Sequence, residues 1–131
     1  MNRSMPSSVI IPELPYPDVR EAVDWLCRSF GFMERLRIGN HRAQLIFGEG
    51  SIVVTQGSGS SAACAIMVCV DNVDNHYARV RQSETHIISP PTDYPYGERQ
   101  YTVEDLGGHR WTFSQTIEDV DPAVWGGTLF A

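Results

Sequence analysis

Hydrophobic and polar positions follow two alternating periods along this chain, and the alternation comes round twice. Residues 8–14 are a β-branched and apolar run ended by Pro15 and Pro17, as a buried strand running into a turn would be. Asp18 then stands as a helix N-cap, with Glu21 three residues on at capping-box spacing. Val19, Ala22, Val23, Leu26, Cys27 and Phe30 share one helical stripe, and Gly31 supplies the stop. Extended segments follow at 32–38, 42–47 and 51–56, parted by Gly39-Asn40 and Gly48-Glu49-Gly50.

The order then repeats. Residues 64–70 form a continuous apolar strand, Asp71-Asn72 a cap, and 73–84 a helix with Val73, Tyr77 and Val80 inward. Strands are expected at 86–89, 98–104 and 109–115, with a tight turn at Leu106-Gly107-Gly108. Residues 90–97, rich in proline and carrying Tyr94 and Tyr96, read as a stiff aromatic loop that makes the second round longer. Laying 47–56 over 106–115 sets Gly48 on Gly107 and matches their terminal Thr/Ser-Gln pairs, a sign of duplication. The pattern predicts an α+β fold of two βαβββ modules, 8–56 and 63–116, within a single domain spanning 1–131. The Gly/Ser-rich stretch 57–62 is their linker, and 117–131 is a C-terminal tail that turns an aromatic back onto the body.

Composition narrows the partners. The chain has 131 residues, 42% of them hydrophobic, which suits one packed core. Its net charge is -6, and every basic side chain apart from histidine is an arginine. Before residue 63 six acids face six arginines, whereas from there on ten acids face four. Such a surface repels phosphate backbones and anionic lipid, so neither nucleic acid nor membrane is an expected partner, while a neutral or cationic ligand is admitted. Solubility alone also accounts for a charge of this size. Cys27, Cys64 and Cys69 are odd in number and lie in apolar stretches, which points to free thiols in a reducing compartment. With no signal-like start and no run of about 18 apolar residues, cytoplasmic residence is the expectation.

The βαβββ pairs, the step Tyr96-Gly97-Glu98-Arg99 and the segment Val103-Glu104-Asp105-Leu106-Gly107-Gly108-His109-Arg110-Trp111-Thr112-Phe113 resemble the vicinal oxygen chelate superfamily. Within it they are most similar to the glyoxalase/bleomycin resistance proteins. The resemblance implies a concave mixed sheet with the helices on its convex side. Such proteins commonly place His, Glu or Gln at four inward strand positions to hold a divalent metal, and these correspond here to Ile11, Val53, Ala65 and Thr112. None is a usual ligand, and a shift of one residue brings no ligand set into place. Neither metal nor other cofactor is therefore expected. His41, His76, His86 and His109 are read as lying on a turn, an exposed helix face, a strand start and a hairpin turn, and no catalytic residue is assigned.

On the resemblance, the ligand-binding surface comprises Glu13, Ala43, Leu45, Val53, Ala65, Met67, Thr102, Glu104 and Thr112, with Tyr94, Tyr96 and Arg99 at its mouth. The tyrosines stack either on a planar ligand or on their own protein. Arg99 binds a ligand carboxylate or pairs with Asp105 or Glu98. Trp25, Trp111 and Phe113 fall to the core by alternation. The function implied is metal-free sequestration of a bulky aromatic or cationic compound, such as a peptide antibiotic, by a homodimer. The competing reading is a lyase or isomerase that uses Glu13 or Glu104 as base or holds a metal unconventionally. A domain without a ligand remains the third.

Overall fold

The computed structural model of the chain describes residues 3–57 and 64–129, so the expected linker beyond Gly57 lies outside the described residues. The first unit runs β1 (Glu13–Tyr16), α1 (Val19–Phe30), β2 (Met33–Ile38), β3 (Arg42–Phe47) and β4 (Gly50–Gln56). The second runs β5 (Ala65–Cys69), α2 (Val73–Val80), β6 (His86–Tyr94), β7 (Glu98–Glu104) and β8 (Arg110–Thr116). Each is a βαβββ module, and the fold is α+β.

The topology is the same in both. The first strand of each module pairs in parallel with its fourth, and the others pair antiparallel, giving the orders β1-β4-β3-β2 and β5-β8-β7-β6. Among the described residues the strands thus hydrogen-bond as two four-stranded mixed sheets, one per module, consistent with the expected pair of βαβββ modules.

Local chemistry accounts for the elements. The Asp18 side chain accepts the Glu21 N–H at 3.1 Å, and Gly31 ends α1 at φ 90, a left-handed angle that glycine adopts without steric cost. Packed on β3 and β4, the helix buries Val19, Ala22, Val23, Trp25, Leu26 and Phe30. These meet Leu14, Tyr16, Ala43, Leu45, Ile52 and Val54, all 4% exposed or less. In the second module Asn72 caps α2 by accepting from Asn75, and the Gln115 side chain accepts the Val73 N–H. That helix contributes few aliphatic groups, so aromatic contacts make up its packing. His76 stacks on Phe113 with centroids 4.0 Å apart, and Tyr77 meets Tyr101 edge-on. Trp111 and Phe113 are fully buried on this side, as alternation required.

Four boundaries depart from the sequence pattern. The run 8–12 is not strand, Val9 is 99% exposed, and β1 instead continues through Pro15. As an edge strand it tolerates a residue without an N–H. Helix α2 stops at Val80 and not at residue 84, since Gln82-Ser83-Glu84 has no apolar group to bury. The proline-rich segment expected as a loop is largely the outer half of β6, another edge strand, with register shifts around its prolines. Finally, β8 starts at Arg110, which leaves His109 in the turn.

That turn is pinned by the buried Asp105 carboxylate, which accepts the His109 N–H and Trp111 Nε1–H, each at 2.9 Å. At the other end of β7, Gly97 has φ 84 and its carbonyl accepts from Ile117 and Glu118. A Cβ at Gly97 would run into the Glu118 carbonyl. The tail held there forms a 3-10 turn (Pro122–Trp125) that sets Trp125 edge-on to Tyr96.

Glu34, on the α1 side of the first sheet, accepts two bonds from Arg37 and two from Arg20. These hydrogen bonds, Arg37's above all, bring its carboxyl from an ordinary 4.5 down to about 2. A depressed acid contributes stability above its unfolded value and loses it as pH falls through the folded one. In urea titrations, the advantage of the natural chain over Glu34→Gln should therefore be constant above pH 4.5 and shrink between 4.5 and about 2. An advantage unchanged at pH 2.5 would show that the cluster contributes nothing of this kind.

Candidate functional site

Each sheet has one face under its helix and one face away from it. Register decides which side chain goes where, because directly paired residues project to the same side. In the first sheet Glu13 pairs with Val53, Val53 with Gln44, and Gln44 with Leu36. This row lies away from α1. Leu14, Val54 and Ala43 form the next row, and Leu45 pairs with Ile52; both rows lie under the helix. Ala43 and Leu45 are 0% exposed and belong to the α1 core, so their expected place in the lining is corrected. The side chain between them, Gln44, takes that place.

In the second sheet the helix-free face carries the row Met67, Thr112, Thr102 and Ser89. Cys69, Ser114, Gln100 and Thr92 flank it on one side, Ala65, Arg110, Glu104 and His86 on the other. Met67, Thr102, Thr112 and Glu104 thus come together as expected residues of one surface. Tyr94 joins them through its pairing with Glu98. Arg99 does not: it projects to the α2 side, where it binds Asp93 at 2.6 Å and Asp74 at 2.9 Å. Neither Asp105 nor Glu98 is its partner in these contacts. The two aspartates hold its guanidinium far into the protonated range.

The polar groups of this face are bonded sideways to one another. Thr102 and Thr112 share a hydroxyl hydrogen bond at 2.9 Å. Tyr96 donates to Gln100 Oε1 at 3.1 Å, Gln100 Nε2 donates to Ser114 at 3.0 Å, and the Ser114 hydroxyl donates to Glu98. Burial, with Tyr94 and Glu98 beside it, pushes the Tyr96 phenol up, which keeps it a donor. Tyr94 and Tyr96 stack on each other at 5.4 Å with planes 7° apart, so each ring supports the other. Beside Ser114, a hollow of about 260 Å³ is lined by Cys69, Val70, Asp71, Ser114, Gln115 and Thr116. It is below the usual size of a drug-sized ligand's pocket and suits a substituent. The Cys69 thiol is exposed there, where a buried one was expected, because it falls on the helix-free face.

The two carboxylates considered as bases are already engaged: Glu13 binds Arg42 at 2.6 Å, and Glu104 binds His86 at 2.7 Å. His76, expected on an exposed face, is half-buried against Phe113 and hydrogen-bonded to the Tyr101 hydroxyl. His109 is buried with Asp105. The metal positions of the resemblance do not fit an ion. Val53 offers no donor, Thr112 spends its hydroxyl on Thr102, and among the described residues no group of three or more His, Cys, Asp or Glu is placed to hold one.

Gln44, Gln100 and Ser114 lie on the helix-free faces and are the residues of the candidate site that sequence reasoning missed. Gln44 was discernible as the lone polar residue in the run Ala43-Gln44-Leu45-Ile46-Phe47. Gln100 and Ser114 share the alternation of Thr102 and Thr112 and were legible from it.

Residues 9–113 match the profile of the Glyoxalase/Bleomycin resistance protein/Dioxygenase superfamily. Among solved structures, TioX from Micromonospora sp. ML1 is similar at 37% identity over 84% of this chain and 99% of that one, with a TM-score of 0.75. TnmS3, an antibiotic binding protein from Streptomyces sp. CB03234, shares 22% identity over 84% and 96%, with a TM-score of 0.71. A glyoxalase/bleomycin resistance protein/dioxygenase family enzyme from Burkholderia phytofirmans PsJN shares 15% over 84% and 99%, at 0.72. No protein of curated function matches this chain.

The two faces predict opposite responses to truncation. Leu45→Ala should cost about 2–5 kcal/mol of unfolding free energy, as buried leucines do. Met67→Ala, at a side chain 62% exposed, should stay within about 0.5 kcal/mol. Denaturant midpoints measure both, and a neutral Leu45→Ala would overturn the assignment of faces.

Proposed function

The chain belongs to the glyoxalase/bleomycin resistance protein/dioxygenase superfamily, and from that premise we propose that it binds and sequesters a bulky aromatic or cationic small molecule, such as a peptide antibiotic, without a metal. The observation that carries this reading is the second sheet's helix-free face. It joins an exposed methionine, a stacked tyrosine pair and polar groups already bonded among themselves. Such a surface recognises shape and aromatic faces and leaves little for general acid-base work. Both candidate bases are already engaged by a neighbouring side chain, Glu13 by the Arg42 guanidinium and Glu104 by the His86 imidazole, which weakens the lyase or isomerase reading. The antibiotic-binding description of TnmS3, whose fold this chain shares, favours sequestration.

The binding residues in this reading are, on the first sheet's helix-free face, Glu13, Val53 and Gln44, and on the second sheet's, Met67, Thr102, Glu104, Thr112, Gln100 and Ser114 with the Tyr94 and Tyr96 rings. The active form is a homodimer; the exposed Val9 and Ile10 beside the edge strand β1 are apolar surface for a second copy. The three free cysteines suit a cytoplasmic site of action, and among the described residues no helix is long and apolar enough to cross a membrane.

Titration with a cationic glycopeptide bearing a planar ring system, followed by tryptophan fluorescence, tests the proposal. Trp125 lies against Tyr96 and should report binding in the micromolar range. Tyr94→Ala should weaken it roughly two- to tenfold, the equivalent of one aromatic contact of about 0.5–1.5 kcal/mol. Flat titrations at high micromolar concentration, across cationic and planar classes, would sink the reading.

A further inference from the structure

A segment of the chain itself crosses the helix-free face of the first sheet. The Arg3 carbonyl accepts from Arg35 Nη2 at 2.9 Å, and the next carbonyl, that of Ser4, accepts from Gln44 Nε2 at 2.8 Å. Pro6 is buried. The Ser8 hydroxyl closes the crossing, 2.8 Å from both the Ser51 hydroxyl and the Glu49 carbonyl.

The receiving groups are built, not incidental. Gln44 is 4% exposed, and its Oε1 accepts from Arg35 Nη1 at 2.6 Å, which fixes the amide plane with Nε2 toward the segment. Arg35 stands at an irregularity between Glu34 and Leu36, which turns its guanidinium onto Gln44 and away from the Glu34 cluster. Two neighbouring donors therefore present themselves to two successive main-chain carbonyls. No side chain of Arg3 or Ser4 takes part in these two bonds, so any chain with consecutive amide carbonyls meets the same requirement. A hydrocarbon does not, because it would leave the buried Gln44 N–H without an acceptor. The segment has no helix or strand of its own, and a few hydrogen bonds hold it.

We propose that residues 3–8 are an internal stand-in for the ligand: this face binds a peptide-like molecule through two consecutive amide carbonyls on Arg35 and Gln44, and the ligand displaces the segment. The proposal rests on the reading of the helix-free faces as binding surfaces and narrows their ligand to compounds with a peptide backbone.

The test uses the full-length chain, isotope-labelled for NMR, with the capped hexapeptide acetyl-Arg-Ser-Met-Pro-Ser-Ser-amide as probe. Added at millimolar concentration, the peptide should shift the Gln44 side-chain amide and accelerate hydrogen exchange at residues 3–8. The double variant Pro6→Gly, Ser8→Ala loosens the segment and leaves both donors, and it should bind the probe at least threefold more tightly. Arg35→Leu, at an exposed position, and Gln44→Leu should each weaken the probe at least fivefold; the first guards against a folding defect in the second. Probe affinity unchanged by Arg35→Leu, or segment exchange unmoved by the peptide, would overturn the proposal. If the glycopeptide titration succeeds while the hexapeptide leaves the segment in place, this inference fails and the sequestration reading stands; the reverse pair of results removes sequestration alone.

Discussion

A four-stranded sheet has two faces, and each module of this chain supplies one helix. That inequality governs the rest of the structure. The helix covers one face and buries the apolar residues of one alternation, so the other alternation must be satisfied by something else. In the first module the α1 side takes Leu14, Ala43, Leu45, Ile52 and Val54, and the opposite side is left with Glu13, Gln44, Val53 and Leu36. A residue's role therefore depends on its parity along the strand, and a reading displaced by one position exchanges core for surface.

The two modules meet the same constraint with different chemistry. On the second sheet, the polar groups of the helix-free face bond sideways: Thr102 to Thr112, and Tyr96 through Gln100 and Ser114 to Glu98. With those donors and acceptors occupied, the face would, in the proposed reading, ask little of a ligand beyond fit and an aromatic plane beside Tyr94. On the first sheet, Gln44 has its oxygen bonded sideways to Arg35 and its nitrogen outward to Ser4. That face is met by an acceptor of carbonyl type, the Ser4 main chain. The contrast has a local origin, since strand pairing puts a threonine opposite Thr112 but a glutamine opposite the donorless Val53.

Much of this was legible in the sequence, and the reasons are physical. Helix α1 carries an N-cap, an apolar stripe and a glycine stop that agree with one another, and it emerged with the expected ends. The duplication also left a mark: aligning 47–56 with 106–115 sets Val53 on Thr112, and the registers place both on helix-free faces in equivalent rows. Ala43 and Leu45 were misplaced because β3 is buried on both sides around Gln44, which erases the contrast between in and out. Arg99 was misplaced because its partners come from α2 and from the far end of β6, and spacing along the chain does not reveal them. Segment 3–8 was opaque for a related reason. Its hold on Arg35 and Gln44 is through main-chain carbonyls, which every residue possesses, so composition carries no trace of that contact.

The same parity bears on why the positions that hold an ion elsewhere in the superfamily would not serve here. An ion needs lone pairs that converge on one point with their donors otherwise free. Thr112 and Thr102 share one hydroxyl hydrogen bond, one donating and the other accepting, and Val53 has no lone pair to offer. Restoring a single ligand at Thr112 would have to break the threonine pair first, and restoring one at Val53 would set a polar group, 5% exposed, beside the Gln44 amide that Arg35 already occupies. Thr112 and Val53, at positions the resemblance matches to ligands, are thus tied into lateral bonds or apolar packing of their own. In the proposed reading, recognition on these faces is left to shape, to stacked rings and to the amide that still reaches outward.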